Sequence, residues 1–449
     1  MATMERIGIT KLRHHHLLLV VLLLVVAAAG GVGSVQAAEE DEMSGRRRRS
    51  RRRRAADVMV PITILNSAVD KGAVCMDGTP PAYHLDPGSG GGNRSWVVNL
   101  EGGGWCNNAR TCRFRTASRH GSSDHMERRI AFTGIMSSAA ADNPDFHSWN
   151  RVKIRYCDSG SFAGDAFDEG LKLQFRGQRI WGAVIQHLLD VGMASAEHVL
   201  LTGCSAGGLA AILHCDQLRA LLPAAATVKC LSDGGLFLDA VDVAGGRSLR
   251  SYYGDVVGLQ AVAPNLPETC TDHLDATSCF FPQNIIDGIK TPIFLLNAAY
   301  DVWQQMHMLR SNLLRNEEHI TECKYVTGRF VHQIEQSLAP NAADTSGTWR
   351  VCKFNRSACN ASQLQFLQGF RDQMVAAVRV FSESRSNGLF INSCFAHCQS
   401  ELTATWNGGS PALQNKGIAK SVGDWYFGRA EVKAIDCPYP CDKTCHNII

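Results

Sequence analysis

The chain has 449 residues, 45% hydrophobic and 19% charged, which is enough apolar material for a large core and excludes a disordered chain, a collagen-like repeat and a multi-span membrane protein. The first 54 residues hold 11 of the 45 Lys/Arg and 5 of the 42 Asp/Glu, so the formal +3 conceals a body at −3, which does not suit a nucleic-acid binder. Seventeen cysteines point to a cross-linked protein of an oxidising compartment.

Lys11 and Arg13 precede an apolar run from Leu17 to Ala29, and Val35-Gln36-Ala37 offers small side chains at the −3 and −1 positions of a cut. This layout predicts a secretory signal peptide over residues 1–37. The competing reading is an uncleaved anchor, but the strictly apolar part falls short of the ~20 residues that span hydrocarbon. No membrane span is expected after cleavage. Residues 38–56 read as a disordered acidic and Arg-rich segment, because blocks such as Arg46–Arg49 and Arg51–Arg54 repel themselves. A solvated tail, a processing site and a tether to an acidic polymer are the three readings of that run.

Residues 57–449 read as one α/β domain, in which strand alternates with helix. The first strand, Trp96–Leu100, ends at Gly102-Gly103-Gly104. Val152–Tyr156 ends at Cys157-Asp158-Ser159-Gly160 and is followed by helical periodicity over Phe175–Leu189. His198–Thr202 ends at Gly203 and opens a helix over Gly207–Leu221. Thr227–Leu231 ends at Asp233, Pro292–Asn297 precedes Asp301, and a helix over Leu364–Ser384 precedes the strand Gly388–Asn392. Several of these strands are near-continuous apolar runs, as in a sheet covered on both faces. The expectation is a mostly parallel sheet of the α/β-hydrolase kind, with chemistry gathered beyond the carboxyl ends of its strands.

Gly203-Cys204-Ser205-Ala206-Gly207 fits the G-x-S-x-G turn, and it lies between a strand and a helix as that turn requires. Ser205 is the expected nucleophile, at a helix N-terminus where negative charge is favoured. A serine needs a base, and the base needs an orienting carboxylate. In the order Ser, Asp, His, the candidates are Asp301, after one strand, and His397, after the next. Asp233 is the rival to Asp301, and His214 lies one helix too early to be the base. The glycines before Trp105 allow close approach of backbone N–H groups, so Gly104, Trp105 and Ala206 are the expected oxyanion donors. Arg110 and Arg113, in the basic stretch after that loop, are candidate contacts for an anionic substrate. No metal or other cofactor is expected.

Three sequons, at Asn93, Asn355 and Asn360, fit a secreted glycoprotein. Cys106 and Cys112 are close enough to close a small loop, whereas Cys204, fixed in the nucleophile turn, is expected to be a poor bridge partner. Cys437, Cys441 and Cys445 have a spacing that suits zinc or disulfides, and the secretory context favours disulfides.

Long segments of the chain closely resemble plant pectin acetylesterases. They include LEGGGWCNN (100–108), NPDFHSWNRVKIRYCD (143–158), LTGCSAGGLAAILHCD (201–216), LNAAYDVWQ (296–304) and INSCFAHCQS (391–400). That family is similar in turn to animal carboxylesterases of the Notum type. The resemblance implies a Ser205, Asp301, His397 triad with Gly104, Trp105 and Ala206 at the oxyanion hole. It also implies acetylated pectin as the substrate, the cell wall as the place of action, and release of acetate. Three features depart from the family pattern: Val302 where a serine is usual, the Arg46–Arg54 run, and an extra polar stretch near 306–330 carrying Cys323. Two other functions remain open at this point: a lipid or protein deacylase of the Notum type, and a catalytically impaired binding protein on the same fold.

Overall fold

In a computed structural model, residues 58–305, 349, 351–352, 356–409, 411–441 and 445 are described. The expected leader, the Arg-rich segment, Asn355 and the stretch 306–330 with Cys323 lie outside them. In chain order the strands are β1 (Met59–Ile64), β2 (Ala82–Asp86), β3 (Ser95–Leu100), β4 (Arg129–Ala131), β5 (Asn150–Ile154), β6 (Ala166–Asp168) and β7 (Leu173–Phe175). They continue with β8 (His198–Cys204), β9 (Thr227–Asp233), β10 (Ile293–Ala298), β11 (Gly388–Asn392), β12 (Ala412–Leu413), β13 (Lys416–Gly417) and β14 (Lys433–Ile435).

Ten of them form one sheet in the order β14-β11-β10-β9-β8-β3-β5-β2-β1-β4. From β14 to β5 every pairing is parallel. From β5 outward through β2, β1 and β4 every pairing is antiparallel. The parallel half carries the fold expected from sequence. The antiparallel extension was not expected: β1 and β2 are partly exposed and carry Pro61 and His84, and β4 is three residues long.

Alternation along the strands explains why both faces are covered. Val199 and Leu201 of β8 enter one apolar cluster, with Ile180, Trp181 and Val184 of the helix Gly177–Asp190 and Leu209 and Ile212 of the helix Ala206–Leu213. Leu200, between them, enters the other, with Val422, Trp425 and Tyr426 of the helix Ile418–Tyr426. Ile293 and Leu295 against Phe294 and Leu296 divide in the same way in β10. Hydrophobic burial on two faces therefore fixes the register, since a slip of one residue would exchange the two sets.

The helix expected over Gly207–Leu221 is two helices, Ala206–Leu213 and Cys215–Leu221, meeting at His214. Tertiary ties hold the break. The His214 ring stacks on Trp181 at 4.4 Å, and Cys215 is bonded to Cys230 of β9. The helix expected over Leu364–Ser384 starts earlier, at Ala361, where Asn360 forms a reciprocal cap with Gln363, and it ends at Ala377.

Among the described residues, sixteen cysteines pair in eight bridges: 75–157, 106–112, 204–398, 215–230, 270–279, 352–359, 394–445 and 437–441. Cys106–Cys112 closes the small loop anticipated from spacing. Cys204 is bridged, contrary to the expectation. The residue is fixed in its turn, but β8 alternation sends its side chain to the face of Leu200, opposite the helix Ala206–Leu213. The loop after β11 runs along that face, where Ser400 bonds Asp233, and it presents Cys398 to Cys204.

Candidate active site

Four loops leave the carboxyl ends of parallel strands on one edge of the sheet, with β9 between the two pairs: the glycine loop after β3, the serine turn after β8, the Asp301 loop after β10 and the His397 loop after β11. Ser205 occupies the turn between β8 and the helix Ala206–Leu213, with φ 61° and ψ −126°. A non-glycine residue there is strained and must be held by its surroundings. Its N–H donates to the Asp233 carbonyl at 2.9 Å. Gly207 permits the close approach that the turn needs, because a Cβ there would lie 2.0 Å from the Leu100 carbonyl oxygen.

Asp301 is fully buried. One carboxylate oxygen caps the short helix Val302–Gln305 by accepting from the N–H groups of Trp303 and Gln304 at 3.0 and 3.1 Å. The other accepts from His397 Nδ1 at 2.8 Å. That bond places the imidazole proton on Nδ1 and leaves Nε2 as the acceptor in the neutral ring. Nε2 is buried and makes no hydrogen bond to a described residue. A ring nitrogen of His397 lies within 4.8 Å of the sulfurs of Cys204 and Cys398, so the imidazole sits against the nucleophile turn. Val302 is almost fully buried, and its N–H bonds the Ala396 carbonyl at 3.3 Å, joining the Asp301 loop to the His397 loop.

Burial disfavours protonated His397, but Asp301, followed by Asp233 and Glu401, outweighs it and raises the pKa above the ordinary 6.5. A neutral base is then lost as pH falls through a value above 6.5. The acid limb of kcat/KM for a neutral acetyl ester is expected above that pH and should fall ~10-fold per pH unit below it. A limb below pH 6 would contradict a His397 base paired with Asp301.

The rival acid, Asp233, faces elsewhere. Its carboxylate accepts the N–H and hydroxyl of Ser400, both at 2.6 Å, and burial pushes its pKa up to about 6. It contributes to the field at His397 without bonding the ring.

The glycine loop carries three buried residues, Gly104, Trp105 and Cys106. Gly104 has φ 66°, a conformation that glycine adopts without penalty. Among the described residues, the N–H groups of Gly104, Trp105 and Ala206 have no hydrogen-bond partner. The loop and the serine turn are tied together by Ser161, whose hydroxyl accepts from Trp105 Nε1 at 2.7 Å and donates to the Ala206 carbonyl at 2.8 Å. Ser161 was missed by sequence reading, although it follows a strand end as the site residues do. The Trp105 ring is enclosed by Phe237, Tyr253 and Trp303 at 5.0, 5.0 and 5.4 Å, with Tyr252 and Phe280 beyond.

Arg110 and Arg113 lie exposed on the helix Ala109–Thr116 that follows the glycine loop, and neither forms an ion pair with a described residue. Two neighbours in the same basic stretch are already engaged. Arg119 pairs with Glu127 at 2.8 Å, and Arg115 is buried.

The pectinacetylesterase family model matches residues 53–332 and 330–446. Pectin acetylesterase 5 of Arabidopsis thaliana is 44% identical over 394 residues, covering 87% of this chain and 86% of that protein. Pectin acetylesterase 7 of the same plant is 45% identical over 390 residues, covering 86% of this chain and 92% of the other. The human palmitoleoyl-protein carboxylesterase NOTUM is 31% identical over 261 residues, which is 53% of this chain and 50% of that protein. A crystal structure of the Drosophila Wnt deacylase Notum aligns with a TM-score of 0.67 and 21% identity, covering 87% of this chain and 100% of that one, and shows the shared fold.

Proposed function

The chain belongs to the pectinacetylesterase family of esterases, and from that membership we propose that it is a secreted serine carboxylesterase releasing acetate from acetylated pectin in the cell wall. The observation that carries the mechanism is the convergence of Ser205, His397 and Asp301 at the ends of β8, β11 and β10, with the His397 to Asp301 bond in place. His397 Nε2 takes the Ser205 proton as Oγ attacks the acetyl carbonyl. The oxyanion is met by the N–H groups of Gly104, Trp105 and Ala206. His397 then returns the proton to the sugar hydroxyl as it leaves, and water hydrolyses the acetyl-enzyme by the same route. Asp301 holds the ring and stabilises the imidazolium.

Eight disulfides and the exposed sequons at Asn93 and Asn360 support the reading of residues 1–37 as a signal peptide, 38–56 as a separate segment and 57–449 as the secreted catalytic domain. No helix among the described residues is long and apolar enough to cross a membrane.

A short acyl group is supported over a fatty one by packing. Trp105, Phe162 and Phe237 are 1%, 0% and 0% exposed, so the rings that a long acyl chain would lie against are covered by protein. Arg110 and Arg113 are proposed to meet galacturonate carboxylates, because an exposed guanidinium can bind a carboxylate through two hydrogen bonds. The test sets acetylated pectin beside p-nitrophenyl acetate and p-nitrophenyl palmitate. Acetate release from the polymer and turnover of the acetyl ester are expected, with at least ~100-fold lower kcat/KM on the palmitate. Arg110→Ala with Arg113→Ala should raise KM for the polymer and leave the small ester unchanged. Equal kcat/KM on both nitrophenyl esters would overturn the acetyl assignment, and equal loss on polymer and small ester would overturn the role of the arginines.

A further inference from the structure

Three successive carbonyls of the glycine loop are each held by a side-chain donor from a different part of the chain. Arg115 Nη2 donates to the Gly103 oxygen at 2.8 Å, the Tyr156 hydroxyl to the Gly104 oxygen at 2.7 Å, and the Tyr252 hydroxyl to the Trp105 oxygen at 2.6 Å. Arg115 belongs to the helix Ala109–Thr116, Tyr156 follows β5, and Tyr252 lies in the helix Ser248–Leu259. All three side chains are buried.

In a planar trans peptide, the C=O and the N–H point in opposite directions. The Gly103 carbonyl shares its peptide with the Gly104 N–H, and the Gly104 carbonyl shares its peptide with the Trp105 N–H. Holding each oxygen from behind therefore turns the two N–H groups forward. These are the same two N–H groups that lack a partner among the described residues. The third held peptide, at Trp105, aims the Cys106 N–H at the Ser159 carbonyl, 3.3 Å away, and anchors the far end of the loop.

We infer that Arg115 and Tyr156 are positioning residues of the oxyanion hole, Arg115 aiming the Gly104 N–H and Tyr156 the Trp105 N–H. This inference rests on the serine-esterase reading of the site. The supports are themselves braced. Tyr156 also accepts from the Ser161 N–H at 3.1 Å, and Arg115 Nε donates to Ser159 Oγ at 2.5 Å. Ser159, Ser161 and Phe162 have φ of 56°, 55° and 58°, so three non-glycine residues of one loop are kept in the left-handed region. Such strain persists only where surrounding bonds over-determine it, and it gathers at functional sites. Arg115 is thus an internal strut, unlike the exposed Arg110 and Arg113.

The experiment uses Tyr156→Phe in the full secreted chain, which keeps the ring that packs on Phe162 at 5.4 Å and removes only the hydroxyl. Arg115→Lys is the second variant, since an ammonium cannot reach both acceptors in the guanidinium's planar fork. Each is assayed on p-nitrophenyl acetate and against a methyl trifluoromethyl ketone, which adds Ser205 to form a tetrahedral oxyanion. Folding is checked by circular dichroism, and the variant that retains the wild-type spectrum is the one scored. The expected result is a kcat lower by ~30-fold with KM within about twofold, because a misaimed donor forfeits part of the ~10²–10³ that a deleted one costs. The inhibition constant of the ketone should rise by the same factor as kcat/KM falls. Wild-type kcat, or a loss of activity with no change in ketone binding, would overturn the inference. Ser205→Ala separates the two levels. If that variant keeps activity, the site reading itself fails. If it is inert while Tyr156→Phe matches wild type on both readouts, only the positioning role fails.

Discussion

Ser205→Ala is expected to lower kcat on acetylated pectin and on p-nitrophenyl acetate by roughly a millionfold, with an unchanged circular dichroism spectrum. The hydroxyl contributes no cap to the helix it precedes, so its removal costs little structure. Alanine has to adopt the same φ of 61°, which its Cβ already does in serine. What remains is the oxyanion hole and binding, which alone support only a small residual rate over water. The measurement is acetate release by purified variant at enzyme concentrations high enough to detect that residue. Activity within tenfold of wild type would mean that another group attacks the ester, and the triad assignment would be wrong.

The second large effect concerns the Cys204–Cys398 bridge. Cys204 directly precedes Ser205 and Cys398 directly follows His397, and their Cα atoms are 5.4 Å apart. The bridge thus fastens the turn bearing Ser205, the proposed nucleophile, to the loop bearing His397, its proposed base. No hydrogen bond between the two side chains is needed to keep them together in the resting enzyme. Cys204→Ala with Cys398→Ala is expected to lower kcat by about 100-fold, because a misplacement of ~1 Å between reacting groups costs that much. Stability should fall too, since closing a loop this long removes ~5 kcal/mol of denatured-state entropy in the chain model. The control is Cys215→Ala with Cys230→Ala, a bridge 15 residues apart in sequence that touches neither Ser205 nor His397. It should lose melting temperature while keeping kcat, measured below both melting points. If the Cys204 and Cys398 variant is folded with wild-type kcat, the bridge is a stability device alone.

The parts of this site that were legible in sequence are those fixed by local geometry. Gly203 and Gly207 announce a turn in which no Cβ fits, and the apolar strand before them sets where it lies. Asp301 and His397 were legible because parallel strands deliver their loops to one edge in a fixed order. The supports were not legible. Arg115 looks like any surface arginine of a basic helix, and only the fold reveals its guanidinium against the Gly103 carbonyl. Tyr156 reads as the last residue of a strand, and its hydroxyl partner lies 52 residues away. Cys204 was misjudged because confinement of its backbone was taken as confinement of its sulfur, whereas strand alternation aims that sulfur away from the turn. Of the antiparallel strands, β1 is interrupted by Pro61, β2 by the polar His84, and β4 is three residues long, so their pairing is settled by contacts across the sheet rather than by their own pattern.

The same bridge bears on the timing of maturation. Cys204 leaves the ribosome 194 residues before its partner. Through that interval the thiol beside the nucleophile coexists with earlier cysteines, among them Cys75, Cys106, Cys112 and Cys157, each of which has its own proper partner already emerged. The native pairing of Cys204 must wait until the loop after β11 has been made and brought back over the sheet. The tie between the Ser205 turn and the His397 loop is therefore a late step of oxidative folding. A chain halted before Cys398, or one in which Cys204 has been captured by an earlier thiol, lacks the bond that ties the Ser205 turn to the His397 loop.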